Sequence, residues 1–130
     1  DIKFDKTYFI NIDKKLKIYA DEKQLRQVIG NVIKNSSENF QENNIFSKVI
    51  TFSSIITQNY ILLSIEDNGV GIKEENKVKI LEPYFTTKKN GTGLGLAISK
   101  KIIEDHHGEI IIESSEKGTK VKIKFPIDNK

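Results

Sequence analysis

The chain has 130 residues, with 21 Lys and Arg against 18 Asp and Glu and a formal net charge of +3. That length suits one compact domain, which can bury about two thirds of its unfolded surface, and no run of about 18 apolar residues is present to form a transmembrane helix. The lack of Cys excludes disulfides and thiolate-bound metals, and the mild charge, without a basic stripe of interleaved aromatics, argues against nucleic acid as a partner.

The chain begins at Asp1, contains no Met and shows no signal peptide, so it is expected to be a segment of a longer protein. Thr7 to Ile12 and Lys17 to Ala20 carry β-branched and aromatic residues, with Asp13-Lys14-Lys15 between them, and predict two strands joined by a turn. Asp21 can cap the helix that follows, with Gln24 at the capping-box position. Leu25, Val28, Ile29, Val32, Ile33, Ser36 and Phe40 keep helical spacing, and the helix should end in the polar stretch Gln41 to Asn44. Lys48 to Thr57 and Tyr60 to Asp67 predict strands about a tight turn at Gln58-Asn59.

A short helix is predicted over Lys73 to Leu81. Glu82 to Gly93 then forms a loop of about a dozen residues, near the length at which loops carry function. The next helix is predicted over Leu94 to His106, with Leu94, Ala97, Ile98 and Ile102 inward and Gly108 as its terminator. Glu109 to Ser114 and Thr119 to Pro126 form a last hairpin. Val121, Ile123 and Phe125 alternate there with Lys120, Lys122 and Lys124, the pattern of a half-buried strand. The expected fold is α/β (α+β): a two-layer sandwich of about five mostly antiparallel strands against three helices.

Four motifs carry chemistry. Asn31 and Asn35 lie one helical turn apart and project together, offering neutral amide oxygens suited to Mg²⁺, although two surface Asn would read the same. Asp67-Asn68-Gly69-Val70-Gly71 follows a strand. Its carboxylate can accept from an exocyclic amine, and Gly69 and Gly71 permit positive φ and close approach to a flat base; an ordinary turn is the plainer reading. Pro83-Tyr84-Phe85-Thr86-Thr87-Lys88-Lys89 pairs an aromatic anchor with lysines able to neutralise a terminal phosphate, or is simply a solvated loop tip. Gly91-Thr92-Gly93-Leu94-Gly95-Leu96 opens a helix whose N-terminus suits a polyphosphate. Its spacing matches neither the dinucleotide fingerprint nor a Walker A loop.

In this order and spacing the four motifs resemble the N, G1, F and G2 boxes of sensor histidine kinases. The matching segments are Asn31 to Asn35, Asp67 to Ile72, Pro83 to Lys88 and Gly91 to Leu96, within a likeness running from about Asp21 to Pro126. Thr86-Thr87-Lys88 resembles the nitrogen-regulation branch. The resemblance implies the Bergerat ATP-binding fold, shared with type II topoisomerases, Hsp90 chaperones and mismatch-repair ATPases. By position it implies Asn35 as the main Mg²⁺ ligand with Asn31 assisting, and Asp67 on the adenine amine. Gly69 and Gly71 would shape the base pocket, Gly91, Gly93 and Gly95 would cradle the phosphates, and Lys88 would reach the γ-phosphate. Thr119 would join the adenine network, and Ile72, Thr87, Thr92, Leu94 and Leu96 complete the nucleotide-binding set.

Two departures stand out. Glu38 and Asn39 occupy positions where many family members carry a basic or aromatic residue, and Arg26, the only arginine, projects away from Asn31. Lysines must therefore supply the positive charge of the loop over Glu82 to Gly93. ATPases of the same fold place a Glu one turn before the metal-binding Asn. Here that position is Asn31, which cannot take a proton from water, so phosphoryl transfer is favoured over hydrolysis. Anti-sigma serine kinases of the fold usually carry that Glu too. An ATP-sensing module without activity is the non-enzymatic alternative, set against motifs that are intact.

His106 and His107 close a helix and lack the neighbours of a phosphoacceptor, so a histidine-bearing dimerisation hairpin is expected upstream of Asp1. The resemblance implies in-line transfer of the γ-phosphoryl to that histidine and relay to a response-regulator aspartate. It also implies a homodimeric parent, with this domain cytoplasmic and any membrane anchor elsewhere in the chain.

Overall fold

A computed structural model describes residues 6–43, 45, 47–77, 79–82 and 95–127. In chain order these form β1 (Lys6–Asn11), α1 (Glu22–Glu42), β2 (Lys48–Ile56), β3 (Tyr60–Asp67), two 3-10 turns (Glu74–Asn76 and Lys79–Leu81), α2 (Gly95–Asp105), β4 (Glu109–Ser115) and β5 (Gly118–Pro126). The sheet order is β1-β2-β3-β5-β4. β1 and β2 are parallel, as a connection through a helix requires, and the other pairs are antiparallel.

α1 begins where Asp21 accepts a hydrogen bond from the Gln24 amide at 2.9 Å. Its apolar stripe buries Val28, Val32 and Phe40 against the sheet, and Ile102 and Ile103 of α2 join the same core. From the sheet come Ile50, Leu63, Ile65, Val121, Ile123 and Phe125. Along the central strand β3, alternation sends Ile61, Leu63 and Ile65 into this core, and Asp67 is the next residue of the same buried row. The strand therefore carries a carboxylate to the core-facing side of its own end, towards α1.

Four local expectations change. Lys17 to Ala20 joins no ladder; Ile18 packs on the core while Tyr19 is fully exposed, so the alternation there reports one-sided burial rather than pairing. The helix expected over Lys73 to Leu81 is the two 3-10 turns, in which no residue is fully buried although Leu81 packs against the core.

The buried face of α2 is Ser99, Ile102 and Ile103, flanked by Leu96, while Ile98 is exposed and Leu94 lies outside the described residues. At the end of α2 the left-handed position is His107, with φ 62°. The Gly108 amide donates to Ile103 O at 2.8 Å and the His107 amide to Glu104 O at 2.9 Å, which completes a Schellman cap. Gly108 is small for another reason: a Cβ there would press on the Lys124 carbonyl and the Ile103 side chain.

Candidate functional site

Asp67 stands at the centre of the site. It pairs in register with Ile50 of β2 and Thr119 of β5, and it is buried. Its Oδ1 accepts the Gly69 amide at 3.0 Å and the Thr119 amide at 3.3 Å. Its Oδ2 accepts the Ser36 hydroxyl of α1 at 2.7 Å. Donors from three separate elements thus hold one carboxylate in a single orientation.

The loop after Asp67 is pinned on three sides. Asn68 accepts the Val49 amide at 2.8 Å and donates to the Ser47 carbonyl, which ties the loop to the start of β2. Asn39 of α1 accepts the Val70 amide and donates to the Val70 carbonyl, both at 2.9 Å. The Ile72 amide donates to Ser114 Oγ at 2.5 Å on the β4–β5 hairpin.

The glycines serve this packing rather than positive φ. A Cβ on Gly69 would collide with the Asn39 amide, and one on Gly71 with the backbone of Ser115 and the Ser114 hydroxyl. Among the described residues the positive-φ glycine is Gly118, at 141°, where a Cβ would meet the Asp67 carbonyl.

Between α1, the loop and the sheet lies a cavity of about 100 Å³. Val32, Ile72, Ile80, Leu96, Ile112 and Val121 form apolar walls, and Asn35, Ser36, Asn39, Asp67 and Thr119 supply the polar groups. A flat heteroaromatic ring with an amine at one edge matches that chemistry.

Asn31 lies one turn before Asn35 on α1. Its Nδ2 donates to the Gly95 carbonyl at 3.1 Å and to Ser99 Oγ at 3.2 Å, which joins α1 to the first turn of α2. With its amide nitrogen so used, Oδ1 is the atom it can offer a cation. Among the described residues no group of three or more His, Cys, Asp and Glu gathers as a metal cage. A donor set of one or two amide oxygens fits Mg²⁺ held mainly by phosphate oxygens and water.

Gly95 and Leu96 open α2 beside this site. Thr87, Lys88, Gly91, Thr92, Gly93 and Leu94 lie outside the described residues, as does the loop predicted over Glu82 to Gly93 beyond Glu82. His106 sits at the far end of α2, where Nε2 accepts the Asp21 amide at 3.0 Å and Nδ1 donates to the Ile102 carbonyl at 2.7 Å. Nε2 thus ties the end of α2 to the cap of α1, while Nδ1 is engaged within the last turn of α2 itself.

Sequence reasoning missed two residues of the site. Ser36 keeps the spacing of the apolar stripe, and Asn39 stands out only as a departure from the family pattern. The available signal was a polar residue set within a buried stripe, since a buried hydroxyl requires a partner.

Residues 20–129 match the family model described as histidine kinase-, DNA gyrase B-, and HSP90-like ATPase. Sporulation kinase E of Bacillus subtilis (strain 168) is 43% identical over 112 residues, covering 85% of this chain but only 15% of that protein. The nucleotide-free catalytic domain of histidine kinase ThkA superposes with a TM-score of 0.81 at 34% identity, covering 95% of this chain and 82% of that one. ThkA in complex with response regulator protein TrrA gives a TM-score of 0.76 at 29% identity, covering 95% of this chain and 35% of that one. The chain belongs to the histidine kinase-, DNA gyrase B-, and HSP90-like ATPase family and is an ATP-binding domain of the histidine kinase type.

Proposed function

We propose that this domain binds Mg-ATP and transfers the γ-phosphoryl group to a histidine on a separate dimerisation and phosphoacceptor domain of its parent kinase, for relay to a response-regulator aspartate. The observation that carries this reading is the Asp67 carboxylate, buried and held by Gly69, Thr119 and Ser36 at the polar end of an apolar cavity. Asp67 accepts from the adenine amine, Thr119 joins its network, and Ile72 and Leu96 face the base. Gly69 and Gly71 let the loop lie close enough to shape the pocket. Asn35, with Asn31, holds Mg²⁺, which when bound neutralises charge on the phosphate oxygens.

Lys88 reaches the γ-phosphate, Thr87 supports it, and Gly91, Thr92, Gly93, Leu94 and Gly95 hold the phosphates at the start of α2. These assignments rest on the match to the family's motifs. The acceptor nitrogen attacks the γ-phosphorus in line, the bond to the β–γ bridging oxygen breaks, and ADP leaves. The domain contributes position and charge neutralisation.

Hydrolysis is disfavoured because Asn31 stands where a base would be needed, and its amide is already tied to Gly95 and Ser99. The engagement of His106 between two helices supports an acceptor elsewhere. Among the described residues no helix is long and apolar enough to cross a membrane. A cytoplasmic place in a homodimeric parent, membrane-anchored or not, is part of the proposal, as is a response regulator partner of the kind seen with ThkA.

The test is incubation with γ-labelled ATP, with and without the parent's histidine-bearing hairpin, followed by acid treatment. The domain alone is expected to bind Mg-ATP, release little phosphate and take up no acid-labile label. Label should reach the hairpin when it is supplied, slowly in trans because the tether's effective concentration is lost. Acid-labile label on the domain that disappears in His106→Ala or His107→Ala would overturn the separate acceptor. Rapid phosphate release would revive the hydrolase, and binding with no transfer to the hairpin would favour an ATP sensor.

A further inference from the structure

Ser36 sits on α1 directly after Asn35, is 5% exposed, and lines the cavity beside Asp67. A serine within a helix usually turns its hydroxyl to its own carbonyl four residues back. This one donates across to Asp67 Oδ2 at 2.7 Å, 31 residues away in sequence. Asp67 already receives the Gly69 and Thr119 amides on Oδ1, and a carboxylate has no hydrogen to return. The Ser36 proton is therefore committed, and the oxygen keeps only lone pairs for anything entering the cavity.

We propose that Ser36 is a second base-selecting residue, whose committed hydroxyl presents an acceptor beside that of Asp67 and so excludes purines carrying a carbonyl oxygen where adenine carries its amine. This rests on the reading of Asp67 as the amine acceptor. An incoming amine brings hydrogens to two oxygens 2.7 Å apart. An incoming carbonyl meets two lone-pair-bearing oxygens and no donor, so its desolvation is uncompensated. Without the serine hydroxyl, the space admits a water. That water can donate one hydrogen to Asp67 and the other to a carbonyl, bridging the mismatch.

The experiment measures Mg-ATP and Mg-inosine triphosphate affinities of the parent chain, Ser36→Ala and Asp67→Asn by calorimetric titration, with circular dichroism on each. Inosine triphosphate places a carbonyl at C6 and a hydrogen on N1, without the 2-amino group of guanine; the N1 change is common to every variant, so the change in the nucleotide ratio reads the residue. Ser36→Ala is expected to weaken ATP several-fold and to narrow the preference for ATP over inosine triphosphate about tenfold, the effect of one hydrogen bond to a charged group. A structural role alone would weaken both nucleotides equally, so an unchanged ratio overturns the proposal. Asp67→Asn separates the two readings. If it abolishes the preference while Ser36→Ala preserves it, only the serine proposal falls; if it too preserves the preference, the base-pocket reading falls. Should Ser36→Ala fail to fold, Ser36→Cys has nearly the same shape with a weak donor, and its ratio decides the matter in the same way.

Discussion

Replacing Asp67 by Asn changes one oxygen to an amide nitrogen, and the surrounding bonds dictate which one. Both backbone donors, Gly69 and Thr119, point at Oδ1, while the single hydroxyl of Ser36 points at Oδ2. Two fixed N–H groups demand an acceptor, so the carbonyl of the new amide must take the Oδ1 place and its NH₂ the Oδ2 place. Ser36 can adapt by rotating its hydroxyl to accept, so the fold should survive with little loss. The nucleotide cannot adapt. The adenine amine loses a charge-assisted acceptor and meets a donor, an expected loss on the order of 2–4 kcal/mol, or about 30- to 1,000-fold in Kd. Inosine triphosphate, with its C6 carbonyl, should lose nothing and gain a donor. Titration of ATP, GTP and inosine triphosphate against both proteins, with thermal melts as the folding control, tests this. Unchanged ATP affinity, or an equal fall for all three nucleotides in a folded variant, would refute the pairing of Asp67 with the amine.

Asn35→Ala should remove the gain in triphosphate affinity that Mg²⁺ brings, while circular dichroism stays unchanged; if the gain persists, Asn31 is the next ligand to test. Asn39→Ala breaks both bonds to the Val70 backbone at a site water can reach, and should lower stability by about 1–2 kcal/mol. It should also weaken ATP by loosening the loop that carries Gly69, and undiminished affinity would show that the clamp is not needed for binding. Gly30 lies on an exposed face of α1 where a Cβ meets nothing within 4 Å; Gly30→Ala should therefore stabilise by about 0.5–1 kcal/mol, read as a melting temperature higher by roughly 2–5 °C.

Periodicity was enough to delimit α1 and β3, because one-sided burial writes itself into the chain at the spacing of each element. It also fixes the face that Asp67 presents, since the row Ile61, Leu63, Ile65 continues to it. The spacing of the four motifs by itself points to nucleotide chemistry and to the family. What spacing does not encode is the partner. Lys17 to Ala20 has the composition of a strand but pairs with no strand among the described residues, and the inward face of α2 turned on the fit of Ser99 beside Asn31.

Gly71 is small because a hairpin more than 40 residues later packs on it; the Ile72 amide reaches that hairpin 42 residues away. The Ser36–Asp67 bond spans 31 residues and the Asn31–Ser99 bond 68. Such contacts depend on how helices and strands are seated on one another, a register set by the summed packing of the core and not by any local run of residues. The chain's residue order thus determined which groups were available for binding ATP. The tertiary structure decided which of them share a hydrogen bond, and so how the two oxygens of Asp67 are divided between backbone amides and the Ser36 hydroxyl.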